Sequence, residues 1–268
     1  MKKYFIISND YELTKLLKIE LLKQLDKLNW IEDEQSPDFV FSLGGDGSFL
    51  KTFRKYKNII ESVKIIPIKS GGVGYYTYNN TSEDVKKISN LLLNEEYLII
   101  DIELLELEYV ASKKIDYVVN EIKVYNSVHP AFIDISIDGT LLQRFQGTGI
   151  VFSTSTGSGG FMRSSGGSII LPKNNGIWQY NEYFPVSTIN YRSLGSSLIL
   201  SKNNEVEIKL DPQEHLSIVL DANFVDSKES IIKIRVSDKK AKVCCLQTNK
   251  NNNEVKTLSS IFTKKRNY

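Results

Sequence analysis

An aspartate set among glycines, Leu43-Gly44-Gly45-Asp46-Gly47-Ser48, is the pattern in this chain with the most chemistry in it. Glycines let the backbone come close to an anion and adopt positive φ. The N–H groups that open a following helix then point at that anion with a favourable dipole. A carboxylate inside such a turn repels phosphate, so its presence suits one of two tasks. Asp46 takes the proton of an attacking hydroxyl, or it holds a metal ion against phosphates. The pattern has neither the Gly-Lys-Ser/Thr of a Walker loop nor the Gly-x-Gly-x-x-Gly of a dinucleotide fingerprint. Taken alone, the same residues also suit an Asx turn joining a strand to a helix.

Two further stretches combine polar groups usefully. Asn120-Glu121 follows the apolar run Tyr117-Val118-Val119. An amide beside a carboxylate can hydrogen-bond an adenine edge and sugar hydroxyls together; the pair also suits a plain strand-end turn. From Gly147-Thr148-Gly149 the chain runs through Ile150-Val151-Phe152 into Ser153-Thr154-Ser155-Thr156-Gly157-Ser158-Gly159-Gly160, and on to Ser164-Ser165-Gly166-Gly167. Hydroxyls and glycines in that order after a strand suggest a cradle for a polar ligand rather than a flexible surface loop. Scarcities narrow the chemistry. His129 and His215 are the only histidines, so an all-His metal site is impossible and a Ser-His-Asp triad has few ways to form. The only cysteines, Cys244 and Cys245, are adjacent; they supply neither a disulfide framework nor a zinc ligand set, and read as small strand residues on opposite faces. A carboxylate is left as the base.

The elements that must position these groups fall into two patterns. The 268 residues, 41% hydrophobic and 25% charged, suffice for one large domain or two modest ones. Residues 3–8 read as a buried strand. Asn9 and Asp10 offer helix caps, and Leu13, Leu16, Leu17, Leu21, Leu25 and Leu28 then recur at helical spacing, predicting one amphipathic helix that ends near Trp30 and packs its leucine stripe in the core. Strand 38–43 runs into the Asp46 turn and a helix over 49–56. Strand 63–68 leads to Ser70-Gly71-Gly72-Val73-Gly74, and 82–94 read as a helix capped by Ser82. Such alternation implies a parallel sheet covered by helices, with ligands beyond the C-terminal ends of its strands, where both glycine-rich turns fall.

After about residue 100 the pattern becomes apolar-polar alternation, over 98–110, 115–125 and Ile133-Ile135-Ile137, the last ending at Asp138-Gly139, a hairpin signal. Further strands are expected over 197–201, 205–210, 216–220, 231–236 and 241–246. The expected division is an α/β domain over 1–99, a β-rich domain over 100–246, and a polar C-terminal segment over 247–268 with a Leu258-Ile261-Phe262 anchor. A net charge of +2 argues against a nucleic-acid surface. No window approaches the roughly 20 apolar residues of a membrane span. The apolar run Tyr4–Ile7 after Lys2-Lys3 is too short for a signal peptide, so a cytoplasmic location is expected.

In combination, these motifs resemble the NAD kinase family over nearly the whole chain. Gly44-Gly45-Asp46-Gly47-Ser48 resembles its Gly-Gly-Asp-Gly-Thr, and Ser70-Gly71-Gly72-Val73-Gly74-Tyr75 its Thr-Gly-x-Leu-Gly-Phe. Asn120-Glu121 matches its Asn-Glu pair, and Ser153-Thr154-Ser155-Thr156-Gly157-Ser158 resembles its Ser-Thr-Pro-Thr-Gly-Ser/Thr stretch. Tyr191-Arg192-Ser193-Leu194-Gly195-Ser196-Ser197 is similar to a segment near its subunit interface. The resemblance implies a Rossmann-like α/β domain followed by a β-sandwich-like, dinucleotide-binding domain, with the segment over 247–268 packing back on the first domain. It implies a phosphotransferase with an alcohol acceptor, which moves a phosphoryl group from ATP or polyphosphate to the adenosine 2′-hydroxyl of NAD and makes NADP.

By the same resemblance Asp46 is the general base. Gly45, Gly47 and Lys51 would face the donor phosphates, and Tyr75 would pack on the dinucleotide. Asn120 would read adenine or ribose, and Glu121 the ribose hydroxyls. Gln146, Thr148, Thr156, Gly159, Gly160 and Ser164 would complete the acceptor pocket. Mg²⁺ is expected as a divalent metal, with no all-protein metal site, and the assembly as a homodimer or homotetramer that shares site residues between subunits. The chain also departs from the family. Its Arg-Gly-Asp-Gly is here Gln146-Gly147-Thr148-Gly149, its Thr-Ala-Tyr is Gly159-Gly160-Phe161, and Phe184 replaces a small residue. These departures gather at the nicotinamide half of the expected site and predict that recognition of that ring is relaxed or rebuilt. Two other readings are a sensor that binds NAD or NADP without turnover, and a kinase sharing the Gly-Gly-Asp turn with a lipid or sugar acceptor.

Overall fold

The computed structural model describes residues 1–71, 74–77, 80–171, 174–189, 192–211, 214, 216–226, 229–246 and 254–263. Of the residues singled out above, Gly72, Val73, Tyr191 and His215 lie outside them. The chain forms two compact units, Met1–Asp101 with Lys240–Tyr268, and Ile102–Lys239. Each is an independent packing problem with its own apolar core.

The first unit is a parallel α/β layer. It begins with β1 (Lys3–Ser8), α1 (Glu12–Leu25), β2 (Ile31–Glu32), β3 (Phe39–Gly44), α2 (Asp46–Tyr56), β4 (Lys64–Lys69), α3 (Ser82–Val85) and α4 (Ile88–Leu93). Strand β1 lies in parallel between β2 and β3, and β3 lies in parallel beside β4. All six residues of β3 are buried, as expected of a parallel strand covered on both faces. Leu17, Leu21, Leu25 and Leu28 pack with Phe39, Phe41, Leu43, Ile66 and Ile68, while Val85, Ile88 and Leu92 close the same core.

Several local readings are corrected here. The cap of α1 is Tyr11 rather than Asn9 or Asp10, and the helix gives way at Asp26 to a 3-10 turn. Leu13 and Leu16 are exposed, because residues 13 and 16 fall outside the arc that faces the sheet. Helix α2 begins at Asp46, three residues earlier than its apolar pattern suggests, with Gly45 as cap. The helix expected over 82–94 is two short ones, and its cap is Thr81, whose hydroxyl forms a capping box with Asp84.

The second unit is β-rich. Its strands are β5 (Leu98–Tyr109), β6 (Lys114–Val118), β7 (Glu121–Tyr125), β8 (Ala131–Ile137) and β9 (Thr140–Thr154). After the short helix α5 (Phe161–Ser164) come β10 (Ile177–Pro185), β11 (Leu198–Ser201), β12 (Val206–Leu210), β13 (Ser217–Leu220), β14 (Asn223–Val225) and β15 (Ile231–Cys245). Asp138 and Gly139 both take positive φ, 50° and 78°, and turn β8 back into β9. Fifteen-residue β9 is the organiser. Its first half pairs with β8, and its second half lies antiparallel between β7 and β10. Phe145 faces the core in the first half and Ile150 and Phe152 in the second, so the inward parity changes between them. Gly147 and Gly149 make that corner. A Cβ on Gly147 would lie 2.7 Å from the Phe184 carbonyl, and one on Gly149 2.5 Å from the Tyr183 hydroxyl and the Val124 carbonyl.

Residues 231–236 and 241–246, expected as two strands, form one. Strand β15 pairs antiparallel with β12 at Ile231–Ile234, and its end pairs in parallel with β4 at Lys242–Val243. Residues 240–246 therefore belong to the first unit and not to the β-rich half, since their apolar side chains Cys244 and Leu246 enter its core. Helix α6 (Glu254–Phe262) is grouped with that unit too. Among the described residues no helix is long and apolar enough to cross a membrane.

Candidate active site

The first unit fixes Asp46 at the start of α2. Its Oδ1 accepts the backbone N–H groups of Tyr75 and Tyr76, and Oδ2 that of Tyr75, each at 2.9 Å. Two segments thus meet through one carboxylate: the turn leaving β3 and the turn leaving β4. Each turn needs glycine for a different reason. Gly44 has φ 144°, and a Cβ there would strike the Ser48 hydroxyl at 2.1 Å and the Asn9 amide at 2.8 Å. At Gly74 a Cβ would strike the Thr77 hydroxyl at 1.9 Å. At Gly45, Gly47 and Gly71 a Cβ would meet nothing within 4 Å. Packing does not demand glycine at those three; their bareness leaves open space around the N-terminal turn of an eleven-residue helix. Lys51 is exposed one turn further along α2.

The surroundings of Asp46 are stiff. Tyr76 stacks on Phe49 at 4.1 Å, and Tyr75 meets Tyr76 edge-on. Burial, with the charges of Glu254 and Asp46, pushes the Tyr75 phenol well above its ordinary range. Asn80, which sequence reasoning passed over, ties the second turn to the sheet. Its amide donates to the Pro67 and Cys244 carbonyls and accepts the Leu246 N–H, each at 2.8 Å.

In the second unit the expected cradle is a folded cover, not a loose loop. Ser153 to Ser158 are buried, Thr156–Gly159 forms a 3-10 turn, and α5 follows. The cover lies over the face of β7, β9 and β10 that points away from the core. Registered rows on that face are Glu121–Ser153–Gln179, Lys123–Val151–Asn181 and Tyr125–Gly149–Tyr183. Gln179 exchanges two hydrogen bonds with the Ser168 backbone, and Asn181 donates to the Ser165 carbonyl at 2.6 Å. Both are buried amides alternating with core aromatics Trp178 and Tyr180. That period-two alternation was the signal in the sequence that could have found them.

Asn120 and Glu121 stand where the cover meets the sheet. The Thr154 N–H and hydroxyl donate to the Asn120 and Val119 carbonyls, at 3.0 and 2.7 Å. Gly157 rests on the Asn120 backbone, where a Cβ would come within 2.3 Å of its carbonyl oxygen. Glu121 Oε2 lies 3.7 Å from where a Cβ on Gly160 would be. Lys123 places its ammonium 3.6 Å from the Glu121 carboxylate and 4.6 Å from the Phe161 ring centre. Burial, reinforced by the Asp221 charge, pushes the Glu121 carboxyl up to about 7. The hydroxyls of Ser155 and Thr156 are buried without a hydrogen-bond partner, an arrangement normally reserved for sites with a task. The arrangement offers one carboxylate, one ammonium, amides and an aromatic edge, a set suited to ribose hydroxyls and a flat base.

The structure therefore groups the predicted residues unevenly. Asp46, Gly45, Gly47 and Tyr75 cluster in the first unit, with Lys51 on the same helix. Asn120, Glu121, Thr156, Gly159 and Gly160 cluster in the second, with exposed Ser164 at the end of α5. Gln146 and Thr148 stand apart, at the β9 corner. The Thr148 carbonyl accepts the Asn126 N–H, and the Gln146 side-chain oxygen is buried without a partner. Asp221 was missed entirely: its carboxylate accepts the N–H groups of Val119, Asn120 and Glu121. A separate cleft of about 490 Å³, lined by residues including Tyr109, Lys114, Asp226 and Glu229, shares no residue with either cluster.

Comparison with known proteins agrees with this chemistry. Residues 116–246 match the family model described as the ATP-NAD kinase C-terminal domain. An NAD kinase of Streptococcus pneumoniae (strain Hungary19A-6) is 32% identical over 237 residues, covering 87% of this chain and 86% of the relative. One of Leuconostoc citreum is 28% identical over 241 residues, covering 88% and 90%. Among solved structures, yeast NADH kinase complexed with NADH has a TM-score of 0.81 at 18% identity, covering 100% of this chain and 90% of that one. An NAD kinase from Archaeoglobus fulgidus in complex with ATP has a TM-score of 0.73 at 20% identity, covering 97% and 98%. Sequence relatives, family model and shared fold converge, and the chain belongs to the NAD kinase family.

Proposed function

We propose that this chain transfers the terminal phosphoryl group of ATP to the adenosine 2′-hydroxyl of NAD, with Asp46 as the general base. The observation that carries the reading is the fixed Asp46 carboxylate, held by the Tyr75 and Tyr76 N–H groups at the bare, glycine-lined start of α2. A base there takes the hydroxyl proton while the adjoining N–H groups neutralise phosphate charge. Lys51 and the backbone at Gly45 and Gly47 face the donor. Glu121 and Asn120 orient the ribose and adenine, with Thr156, Gly159, Gly160 and Ser164 around them, and Tyr75 packs against the dinucleotide. The family model's description names ATP, which supports ATP as donor; polyphosphate is the alternative donor the same phosphate site would accept.

Among the described residues no cluster of three or more acidic, His or Cys side chains could hold a metal. Mg²⁺ would arrive with the nucleotide, and Asp46 is the carboxylate proposed to face it. When bound, the metal would supply charge neutralisation on the phosphates. Gln146 and Thr148, at the β9 corner, are proposed to serve a neighbouring subunit of a homodimer or homotetramer. With Thr148, Gly159 and Phe161 in place of the family's Asp, Thr and Tyr, nicotinamide recognition is relaxed, so NAD and NADH are both accepted. A cytoplasmic location is proposed too.

The test is direct. Purified protein with ATP, Mg²⁺ and NAD should form NADP, read by coupling to an NADP-specific dehydrogenase. Asp46→Asn should abolish turnover and retain NAD binding; unchanged turnover removes Asp46 from its role. A strong preference for NAD over NADH would overturn relaxed recognition.

A further inference from the structure

We infer that Asp221 is a positioning residue for the acceptor, holding the Asn120-Glu121 turn in the conformation that presents both side chains. Asp221 is a buried anion in a hairpin turn. Strands β13 and β14 pair Leu220 with Asn223, leaving Asp221-Ala222 as a two-residue turn. Asp221 has φ 52°, the left-handed conformation that aspartate tolerates in hairpin turns. It is also buried, which disfavours a carboxylate. Hairpin formation accounts for the φ, as it does at Asp138, but not for the burial of the carboxylate.

The carboxylate is accounted for by what it accepts. The N–H groups of Val119, Asn120 and Glu121 converge on it at 3.3, 2.8 and 3.2 Å. In return the Asp221 N–H donates to the Glu121 carbonyl at 2.9 Å. These three donors lie at the break between β6 and β7, where β6 pairs with β5 as far as Val118 and β7 begins its own pairing at Glu121. One anion therefore replaces the missing ladder and fixes the turn from the β13 side. Thr154 and Gly157 clamp the same turn from the cover side. Asn120 can move in neither direction without breaking hydrogen bonds or striking backbone. A buried carboxylate saturated by converging N–H donors holds the turn in one geometry.

The inference rests on the proposed acceptor role of Asn120 and Glu121, and the experiment separates the two. Asp221→Gly keeps the positive-φ turn and removes only the carboxylate. Asp221→Asn keeps a single acceptor oxygen. Steady-state kinetics should show KM for NAD raised more than about tenfold in Asp221→Gly, the loss expected when hydrogen bonds to a charged group are removed. KM for ATP should stay unchanged, and kcat at saturating NAD should stay within about threefold. Asp221→Asn should recover part of the loss. Amide hydrogen exchange should accelerate at residues 119–121 in Asp221→Gly, with the amides of β8 and β12 as reporters of global unfolding. A wild-type KM for NAD with wild-type exchange at 119–121 overturns the inference. Wild-type protein that forms no NADP would instead overturn the acceptor reading, leaving hydrogen exchange to decide whether Asp221 holds the turn.

Discussion

Replacing Gly47 with alanine should make the protein more stable and a poorer kinase, and the two effects have separate structural causes. Gly47 is the second residue of α2, it does not have positive φ, and an added Cβ meets nothing within 4 Å. Alanine is favoured over glycine inside a helix by roughly 0.5–1 kcal/mol, and it lowers the entropy of the unfolded chain as well. For a chain of this size that is a rise in Tm of about 1–4 °C. The same methyl group projects into the open space at the start of α2, where the donor phosphate is proposed to come within hydrogen-bond distance of the backbone. Losing one such bond to a charged group costs about 1.5–3 kcal/mol, or roughly ten- to a hundredfold in kcat/KM for ATP. Differential scanning calorimetry and initial rates at varied ATP measure both effects in one preparation. A fall in Tm would show that the space around Gly47 is not open. An unchanged kcat/KM would show that phosphate does not approach there.

The other predictions concern the acceptor side and pH. Gly157→Ala must displace Asn120 or the cover, because the new Cβ lies 2.3–2.6 Å from three Asn120 backbone atoms; KM for NAD should rise at least about tenfold and Tm should fall by a few degrees, as overpacking costs about 1–3 kcal/mol. Lys123→Met removes the ammonium beside Glu121, so the pH below which NAD binding weakens should move upward, read by calorimetric titration across pH. Glu121 and Asp221 titrate near 7 and 6 in the folded protein, both raised by burial. The folded state therefore holds more protons than the unfolded one between the ordinary carboxyl values and 7. The unliganded protein should lose stability from these groups as pH rises through that window. NAD binding that needs an ionised Glu121 should strengthen over the same window, so Tm of the free protein and the NAD-induced increment in Tm should move in opposite directions.

Much of the candidate site was legible because its residues sit in short contiguous motifs. Asp46 and its glycines could be read from one hexapeptide, and Asn120-Glu121 from the end of an apolar run. The parallel sheet followed from strand-helix alternation, and the β8–β9 hairpin from Asp138-Gly139. What failed was local detail under tertiary control. Leu13 and Leu16 fit the helical period and yet face outward, since the sheet accepts only the arc of α1 around Leu17, Leu21 and Leu25. Residues 231–246 looked like two strands because Ser237, Asp238, Lys239 and Lys240 interrupt the apolar pattern, whereas the chain stays extended through them.

Asp221 marks a deeper limit of sequence reading. In the sequence it is an acidic residue after an apolar run, indistinguishable from the many aspartates that open turns. Its importance comes from Val119–Glu121, a hundred residues earlier, whose N–H groups converge on its carboxylate. Periodicity and motif spacing report what a residue's neighbours along the chain require, and no local pattern encodes a debt owed by a distant segment. The same holds for Asn80, which serves the Pro67 and Cys244 carbonyls together. In both places a side chain completes backbone hydrogen bonding where regular pairing stops, and each lies beside a motif that carries chemistry. Where a candidate site needs backbone irregularity to present its side chains, the residues that satisfy that irregularity belong to it as much as the groups proposed to act there, Asp46 and Glu121.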